Sequence, residues 1–281
     1  MVKSLFHYTD QKGLIGILSG SPIVLWASDI RFLNDSSEYL LALELVKTQL
    51  DRRHSSDSST TNAFIDQLQT WTSLLNEQGS AFVVSFSEDD DSLSQWRAYG
   101  GDRGYCLEFD TTRLSRVASL TGFELSKCAY QDDEHEFEIN STIDDVLKGK
   151  VKIFRSVRVT RQFSGLSASE NARRLKFMVE IEKLLPKLKH KSFAGEREWR
   201  LSSRAFSMKG FEPMFRPGRS TLVPYCALAI EIAPHKLPLT AIRVGPNPEP
   251  ELAKRAIQSL LRAHERNGVD IRSSNIPYRN W

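Results

Sequence analysis

Short alternating or continuously apolar runs along the chain predict β-strands. Residues 4–9 (SLFHYT) and 105–110 (YCLEFD) alternate apolar and polar side chains, as a half-buried strand does. Residues 81–87 (AFVVSFS) are nearly all apolar, which is typical of a strand buried on both faces. Further strands are predicted at IVLWAS (23–28), FELSKCAY (123–130), EREWRLSS (196–203), ALAIEIA (227–233), AIRVGP (241–246) and VDIRSS (269–274).

Apolar residues at helical spacing predict five helices, within residues 10–20, 34–50, 63–79, 169–188 and 248–268. Strands and helices do not follow the regular strand–helix–strand alternation of a parallel sheet. The sequence therefore predicts an α+β fold with a mixed, mostly antiparallel central sheet and surrounding helices. We expect a single domain over residues 1–281, with a helical insertion around 35–78 and a long helix around 168–189 that Pro186 strains or ends.

Composition and charge place the chain among ordinary globular proteins. Its 281 residues are 40% apolar and 26% charged, with a formal net charge of +3. No apolar run is long enough to span a membrane, and the first residues lack a signal-peptide pattern. The three cysteines are widely spaced and form no CxxC motif, so we expect a reducing cytoplasm and no cysteine zinc site.

Two polar stretches stand out in the first part of the chain. His7, Tyr8 and Thr9 end the first predicted strand, where a histidine can bind a ligand or can simply be satisfied by the backbone. Residues 31–38 (RFLNDSSE) precede a helix. Asn34 or Asp35 can cap that helix without any further function, and Glu38 then lies in its first turn.

Two more polar stretches follow. Residues 85–100 (SFSEDDDSLSQWRAYG) place Ser85 and Ser87 on one strand face; the Trp, Arg and Tyr that follow can stack on a flat ligand and hold phosphate, or form a structural lid. In the strand predicted at 196–203, two glutamates and Arg200 alternate onto one face, and a Trp and a Leu face the core. The charged face is a reactive site or a surface ladder of ion pairs.

Familiar nucleotide and metal motifs are missing from the sequence. There is no GxxxxGK[ST] loop and no GxGxxG, so a P-loop or Rossmann enzyme is not indicated. The six histidines are scattered singly, which gives a histidine metal site little support. Residues 146–169 carry six basic residues and no acid, namely Lys148, Lys150, Lys152, Arg155, Arg158 and Arg161.

The polar stretches occur in an order that resembles a bacterial protein family known chiefly as a domain of unknown function. The motifs are HYT, LND..E, SLSQWRAYG, KHKSF..E.EWR and IPYR, and the resemblance extends over residues 5–279. Ser36 stands where that family usually has a proline.

The same plan is similar to the ADP-ribosyltransferase fold, which carries a first-strand His or Arg, a Tyr or Ser-x-Ser, and a late Glu. This sequence offers His7, Ser85-Phe86-Ser87 and Glu196-Arg197-Glu198. The resemblance implies NAD as substrate, no metal, and Glu198 as the catalytic residue facing the ribose cation. Glu196 would orient or deprotonate the acceptor. His7 is expected to hold the adenosine ribose and is counted with the two glutamates among the catalytic residues. Residues expected to contact NAD are His7, Tyr8, Ser85, Ser87, Trp96, Arg97 and Tyr99.

Three functions are therefore left open by the sequence. The first is an ADP-ribosyltransferase-like enzyme that transfers ADP-ribose to a nucleic acid or protein, in a toxin or phage-defence setting that only the resemblance implies. The second is an NAD glycohydrolase with the same site. The third is a non-catalytic nucleotide- or nucleic-acid-binding module that uses the basic stretch 146–169. Both enzyme hypotheses require that His7, Ser87, Trp96, Arg97, Glu196 and Glu198 line one cleft. The oligomeric state is left open.

Overall fold

The computed structural model describes residues 2–33, 36–54, 65–73, 81–101, 103–148, 168–203, 212–218, 220–231 and 237–277. Its strands are β1 (Ser4–Thr9), β2 (Val24–Asp29), β3 (Phe82–Ser87), β4 (Tyr105–Asp110), β5 (Phe123–Lys127), β6 (Glu198–Ser203), β7 (Met214–Pro217), β8 (Leu222–Ala229), β9 (Leu239–Val244) and β10 (Asp270–Ser273). The helices are α1 (Gln11–Leu18), α2 (Ser36–His54), α3 (65–73), α4 (Leu93–Tyr99), α5 (Thr111–Thr121), α6 (Asp132–Leu147), α7 (Ala168–Leu184) and α8 (Pro250–Ala263).

The predicted α+β class is confirmed, and most predicted elements are present. Helices α4, α5 and α6 and strand β7 were not among the predicted elements. Local signals explain several helix ends. Asp10 caps α1 by accepting a hydrogen bond of 2.7 Å from the Gly13 amide, and Asp110 caps α5 in the same way. Helix α7 ends at Leu184, and the 3₁₀ turn that follows contains Pro186, as expected.

The sheet is almost entirely antiparallel and branches at β3. Its main path runs β10-β9-β4-β1-β3-β2-β8-β7, and among the strands of the described residues only β9 and β10 pair in parallel. One edge of β3 pairs with β6 along its length, and β6 then pairs with β5. The other edge of β3 pairs with β1 at Ser87 but with β2 at Phe82 and Val83. Strands β1 and β2 therefore share one edge of β3: β1 pairs at the Ser87 end and β2 at the Phe82 end, which leaves a gap between them.

Both faces of the sheet are covered by helices. The main-core face carries Leu5, Phe86 and Leu201, which pack with apolar residues of α1, α5 and α8. The opposite face, which we call the helical-layer face, contributes Val83 to a second apolar cluster formed with α2, α3, α6 and α7. A small third cluster joins Tyr8, Trp96 and Cys106. The candidate site lies on the helical-layer face, where polar residues of β3 and β6 meet.

Candidate functional site

Strand pairing brings the Ser-x-Ser and Glu-x-Glu segments together. Ser87 lies opposite Glu198, and Ser85 lies opposite Arg200, in the antiparallel pair of β3 and β6. Directly opposed residues share a face, so all four point to the helical-layer face. The Ser87 hydroxyl also donates a hydrogen bond of 2.8 Å to the backbone carbonyl of Glu196. The predicted proximity of these two segments is confirmed.

The start of the predicted glutamate strand is wrong. Glu196 ends a 3₁₀ helix (Lys191–Glu196), and β6 begins only at Glu198. Between them, Arg197 adopts a left-handed conformation with φ 46° and ψ 47°. Such a conformation is unfavourable for a residue with a side chain. Both glutamates contact Lys189 because of this turn, and not because they alternate along one strand.

The alternative of a surface ladder of ion pairs is wrong, because all the charges except that of Glu196 are buried. They form a charge cluster of five residues: Glu38, Lys189, Glu196, Glu198 and Arg200. Their side chains are exposed by 4%, 1%, 22%, 6% and 2%, respectively. Trp199 and Leu201 pack on the main core from the other face of β6, as predicted.

Close hydrogen bonds connect the members of the charge cluster. The Glu198 carboxylate accepts from Arg200 Nε at 2.7 Å and from Arg200 Nη2 at 3.1 Å. It also accepts from Lys189 Nζ at 2.7 Å, and that ammonium lies 2.5 Å from Glu196 Oε2. Glu38 of α2 accepts from Arg200 Nη2 at 3.0 Å. Three carboxylates thus surround two cations between the sheet and the helical layer.

These contacts keep Glu198 charged despite its burial. Burial alone would raise the pKa of this carboxyl group, but the nearby charges of Arg200 and Lys189 outweigh it and lower the pKa to about 2. Burial likewise opposes the charge of Lys189 and Arg200, while Glu198 raises the pKa of both. A buried ionic network is costly unless each charge is compensated. Strongly perturbed groups of this kind are candidates for a functional site.

Backbone contacts hold the cluster in place. The Glu198 amide donates to the Tyr130 hydroxyl at 2.8 Å, and the Cys128 amide donates to the Glu198 carbonyl at 2.9 Å. Arg200 Nη1 donates to the carbonyl of Pro186 at 3.0 Å. The cluster is therefore held by β6, the 3₁₀ helix before it, the segment that follows β5 and the turn after α7, with a single residue added from α2.

His7 does not join this site. It pairs with Leu107 across β1 and β4, and its ring lies 5.8 Å from that of Phe86, so it points to the main-core face. Glu198 points to the opposite face. The prediction that His7 and Glu198 line one cleft is therefore wrong, and with it the ribose-binding and catalytic roles expected for His7.

The histidine instead closes the gap that opens where β1 and β2 separate. Its Nδ1 lies 2.9 Å from the Ser85 carbonyl oxygen, and Nδ1 donates because a carbonyl oxygen can only accept. Burial lowers the pKa of the His7 imidazole, although the bond to Ser85 opposes this. The structural alternative, a partly buried histidine satisfied by the backbone, is confirmed.

Tyr8 and Trp96 are buried and contact each other, not an open surface. The tyrosine hydroxyl donates to the Asp89 carbonyl at 2.8 Å and accepts from the Ser92 amide at 3.0 Å. Trp96 is 3% exposed, donates from Nε1 to Asp91 at 2.9 Å, and packs edge-on against Tyr8 at 4.7 Å. The predicted stacking of Trp96 on a ligand ring, and NAD contact by Tyr8, are therefore wrong.

Arg97 and Tyr99 lie on exposed positions of α4, so their predicted contact with NAD stays a prediction. Helix α4 is nevertheless tied to the site through the loop before it. The Asp89 amide donates to Ser87 Oγ at 3.1 Å, and the carbonyl of the same residue accepts from Tyr8. Hydrogen bonds therefore run from Tyr8 through Asp89 and Ser87 to Glu196.

Sequence reasoning missed Glu38 and Lys189 as members of the site. Both were visible in the motifs LND..E and KHKSF, but Glu38 was interpreted as a first-turn helix residue and Lys189 was given no role. Of the basic stretch, Lys148 is exposed and paired with Asp144 at 2.6 Å. The other five predicted basic residues lie outside the described residues.

Among the described residues, no three His, Cys, Asp or Glu side chains are grouped so as to hold a metal ion. None of the described helices is both long and apolar enough to cross a membrane. No curated protein and no solved structure matches the chain. Residues 95–201, from α4 to β6, match the family described as protein of unknown function (DUF2971), which confirms the predicted likeness to a family of unknown function over this segment. The likeness expected over the rest of residues 5–279 stays a prediction.

Proposed function

We propose that this protein is an ADP-ribosyltransferase-like enzyme that cleaves the nicotinamide–ribose bond of NAD, with Glu196 as the carboxylate that meets the substrate and without His7 or Trp96 in the site. The cleft of six residues that the enzyme hypotheses required is not formed, because His7 lies on the opposite face of the sheet and Trp96 is buried. The proposal therefore retains Ser87, Glu196 and Glu198 from that set, with Arg97 as an exposed contact.

The observation that carries the proposal is the unequal exposure within the charge cluster. The Glu196 side chain is 22% exposed, whereas those of Lys189 and Glu198 behind it are exposed by 1% and 6%. A ligand that approaches the cluster therefore meets Glu196 first.

Cleavage of the nicotinamide–ribose bond needs one carboxylate that the substrate can reach. Fixed charges behind that carboxylate hold it in place. When the bond breaks, nicotinamide leaves with the electron pair as a neutral molecule, and positive charge develops on the ribose. A preorganised carboxylate stabilises that charge. The acceptor then bonds to the ribose carbon and releases its proton to solvent.

Glu198 has a supporting role in this proposal, which reverses the assignment made from the sequence. Both of its oxygens are engaged by Arg200 or Lys189, and burial separates it from a substrate. Ser87 fixes the backbone of Glu196 through its hydroxyl. Arg97 and Tyr99 are the exposed side chains proposed to contact the rest of NAD.

The test is incubation of the pure protein with NAD, with nicotinamide quantified by chromatography and heat-unfolded protein as the control. Nicotinamide release in buffer alone indicates transfer to water, the glycohydrolase outcome. Release that requires added nucleic acid or protein extract indicates transfer to an acceptor, which mass analysis then identifies. No release in any of these mixtures contradicts the proposal.

A further inference from the structure

We infer that Lys189 is a positioning residue, whose ammonium group holds the Glu196 carboxylate ionised and in its present orientation. The inference deepens the proposed function, on which it rests for its catalytic meaning. A carboxylate at the partly exposed end of a cluster has alternative rotamers that point to water. A fixed cation beside the carboxylate favours the rotamer in which the carboxylate faces the site.

The position of the ammonium group supports this role. Lys189 Nζ lies 2.5 Å from Glu196 Oε2 and 2.7 Å from Glu198 Oε2, and the side chain is 1% exposed. It also lies 3.5 Å from Glu38 Oε1 and 4.9 Å from the centre of the Phe193 ring. A buried ammonium with these neighbours has little freedom to follow Glu196 towards solvent.

The backbone of Lys189 is fixed as well. Its amide donates to the Ala129 carbonyl at 2.9 Å, and the Ala129 amide donates to the Lys187 carbonyl at 2.8 Å. These two bonds accompany an isolated parallel bridge between Ala129 and Leu188, just beyond the end of β5. The backbone of Lys189 is therefore hydrogen-bonded on both sides of this bridge, and the cation is preorganised before a substrate arrives.

Arg200, the other cation of the charge cluster, has different partners from Lys189. Its guanidinium donates to Glu198, Glu38 and the Pro186 carbonyl. The charged groups packed around Lys189 in the described part of the chain include Glu196 and Glu198 from the segment at the start of β6, Arg200 from β6, and Glu38 from α2. Removal of Lys189 leaves Glu196 beside other carboxylates without the ammonium that separates them.

The test is a carboxyl carbon NMR titration of Glu196 in wild type, Lys189→Met and the control Lys187→Met, with Glu196→Gln to assign the signal. Lys187 is a neighbouring lysine that pairs with Glu124 instead. We expect the Glu196 midpoint to rise by roughly 1–3 pH units in Lys189→Met, because a cation within contact distance is lost. Lys187→Met leaves it unchanged.

If Lys189→Met does not fold, the pair Glu198→Gln and Lys189→Met/Glu198→Gln replaces it, since the double variant removes one buried charge of each sign. An unchanged Glu196 midpoint overturns the inference in either series. Nicotinamide release is measured on the same samples. A shifted midpoint with no release from wild type removes the proposed NAD chemistry but retains the role of Lys189. A shifted midpoint together with slower release in Lys189→Met, and not in Lys187→Met, supports both.

Discussion

Ser87 and Glu196 are joined by a hydrogen bond of 2.8 Å between the serine hydroxyl and the glutamate carbonyl, although 109 positions separate them in the sequence. The bond links the end of β3 to the residue before the left-handed turn at Arg197. It fixes the backbone from which the most exposed carboxylate of the charge cluster projects. The geometry of the proposed site therefore depends on that turn and on the buried charges behind it.

The left-handed conformation at Arg197 predicts that glycine is preferred over alanine at this position. Both Arg197→Gly and Arg197→Ala lose the same ion pair with Glu88, and the arginine side chain in that pair is 57% exposed. Only glycine adopts φ 46° without steric cost. We expect the glycine variant to be more stable than the alanine variant by about 1 kcal/mol in urea unfolding. Equal stability would mean that the backbone is not strained here.

The buried charges predict a partial rescue between two variants. Arg200→Met removes the guanidinium that both Glu38 and Glu198 contact, and we expect a loss of roughly 3–5 kcal/mol in unfolding free energy. Adding Glu38→Gln removes one of the uncompensated carboxylates, so the double variant should be more stable than Arg200→Met alone. Arg52→Met, at a solvent-exposed ion pair, is the control and should change stability by less than about 0.5 kcal/mol. Additive losses in the double variant would contradict the coupling.

The low pKa of Glu198 predicts a defined loss of stability in acid. Its folded pKa of about 2 lies below the ordinary value of 4.5. A depressed carboxyl pKa stabilises the folded state above the unfolded pKa, and this contribution is lost as the pH falls through the folded pKa. The contribution is on the order of 3 kcal/mol.

Glu88 also has a pKa lowered to about 2, since its bonds to Lys127, Trp199 and Arg197 outweigh its burial, so wild type alone does not isolate Glu198. The comparison is between wild type and Glu198→Gln, unfolded in urea at several pH values. The stability difference between them should shrink as the pH falls from about 5 towards about 2. A difference that stays constant over this range would show that the pKa of Glu198 is not lowered by folding.

The space around two glycines predicts opposite effects of alanine at the two positions. A Cβ atom at Gly245 would lie 2.9 Å from both the Gly104 carbonyl oxygen and Trp96 Cε3. Gly245→Ala should therefore destabilise the protein by roughly 1–3 kcal/mol. At Gly16 in α1 a Cβ would meet nothing within 4 Å, so Gly16→Ala should stabilise it by about 0.4–1 kcal/mol. Thermal unfolding of both variants tests the two signs, and a stable Gly245→Ala would contradict the close packing.

The sequence predicted those features of the fold that depend on local patterns. Trp199 and Leu201 pack on the core as expected, because strand alternation alone determines which residues share a face. Pro186 ends α7 as expected because proline is incompatible with a continuing helix. The left-handed turn at Arg197 could not be predicted in this way, since it breaks the strand pattern at a residue that is neither glycine nor asparagine.

The composition of the site depended on contacts that no local pattern reveals. Glu38 contacts Arg200, which lies 162 positions away in the sequence. An acidic residue in the first turn of a helix is already explained by the helix, so nothing in the sequence indicated this contact. The wrong assignment of His7 has a similar cause. The face on which His7 lies relative to Glu198 follows from the pairing of β1, β3 and β6, and pairing register was not visible in the sequence.

The central claim is that Glu196 is the carboxylate that meets NAD, and nicotinamide release by Glu196→Gln tests it most directly. Glu44→Gln is the matched control, since Glu44 is a 68% exposed glutamate on α2 that pairs with Lys47. With equal folded fractions confirmed by melting temperature, the account predicts that Glu196→Gln releases nicotinamide on the order of 10²–10³ more slowly than wild type, while Glu44→Gln matches wild type. Release by Glu196→Gln at the wild-type rate would contradict it.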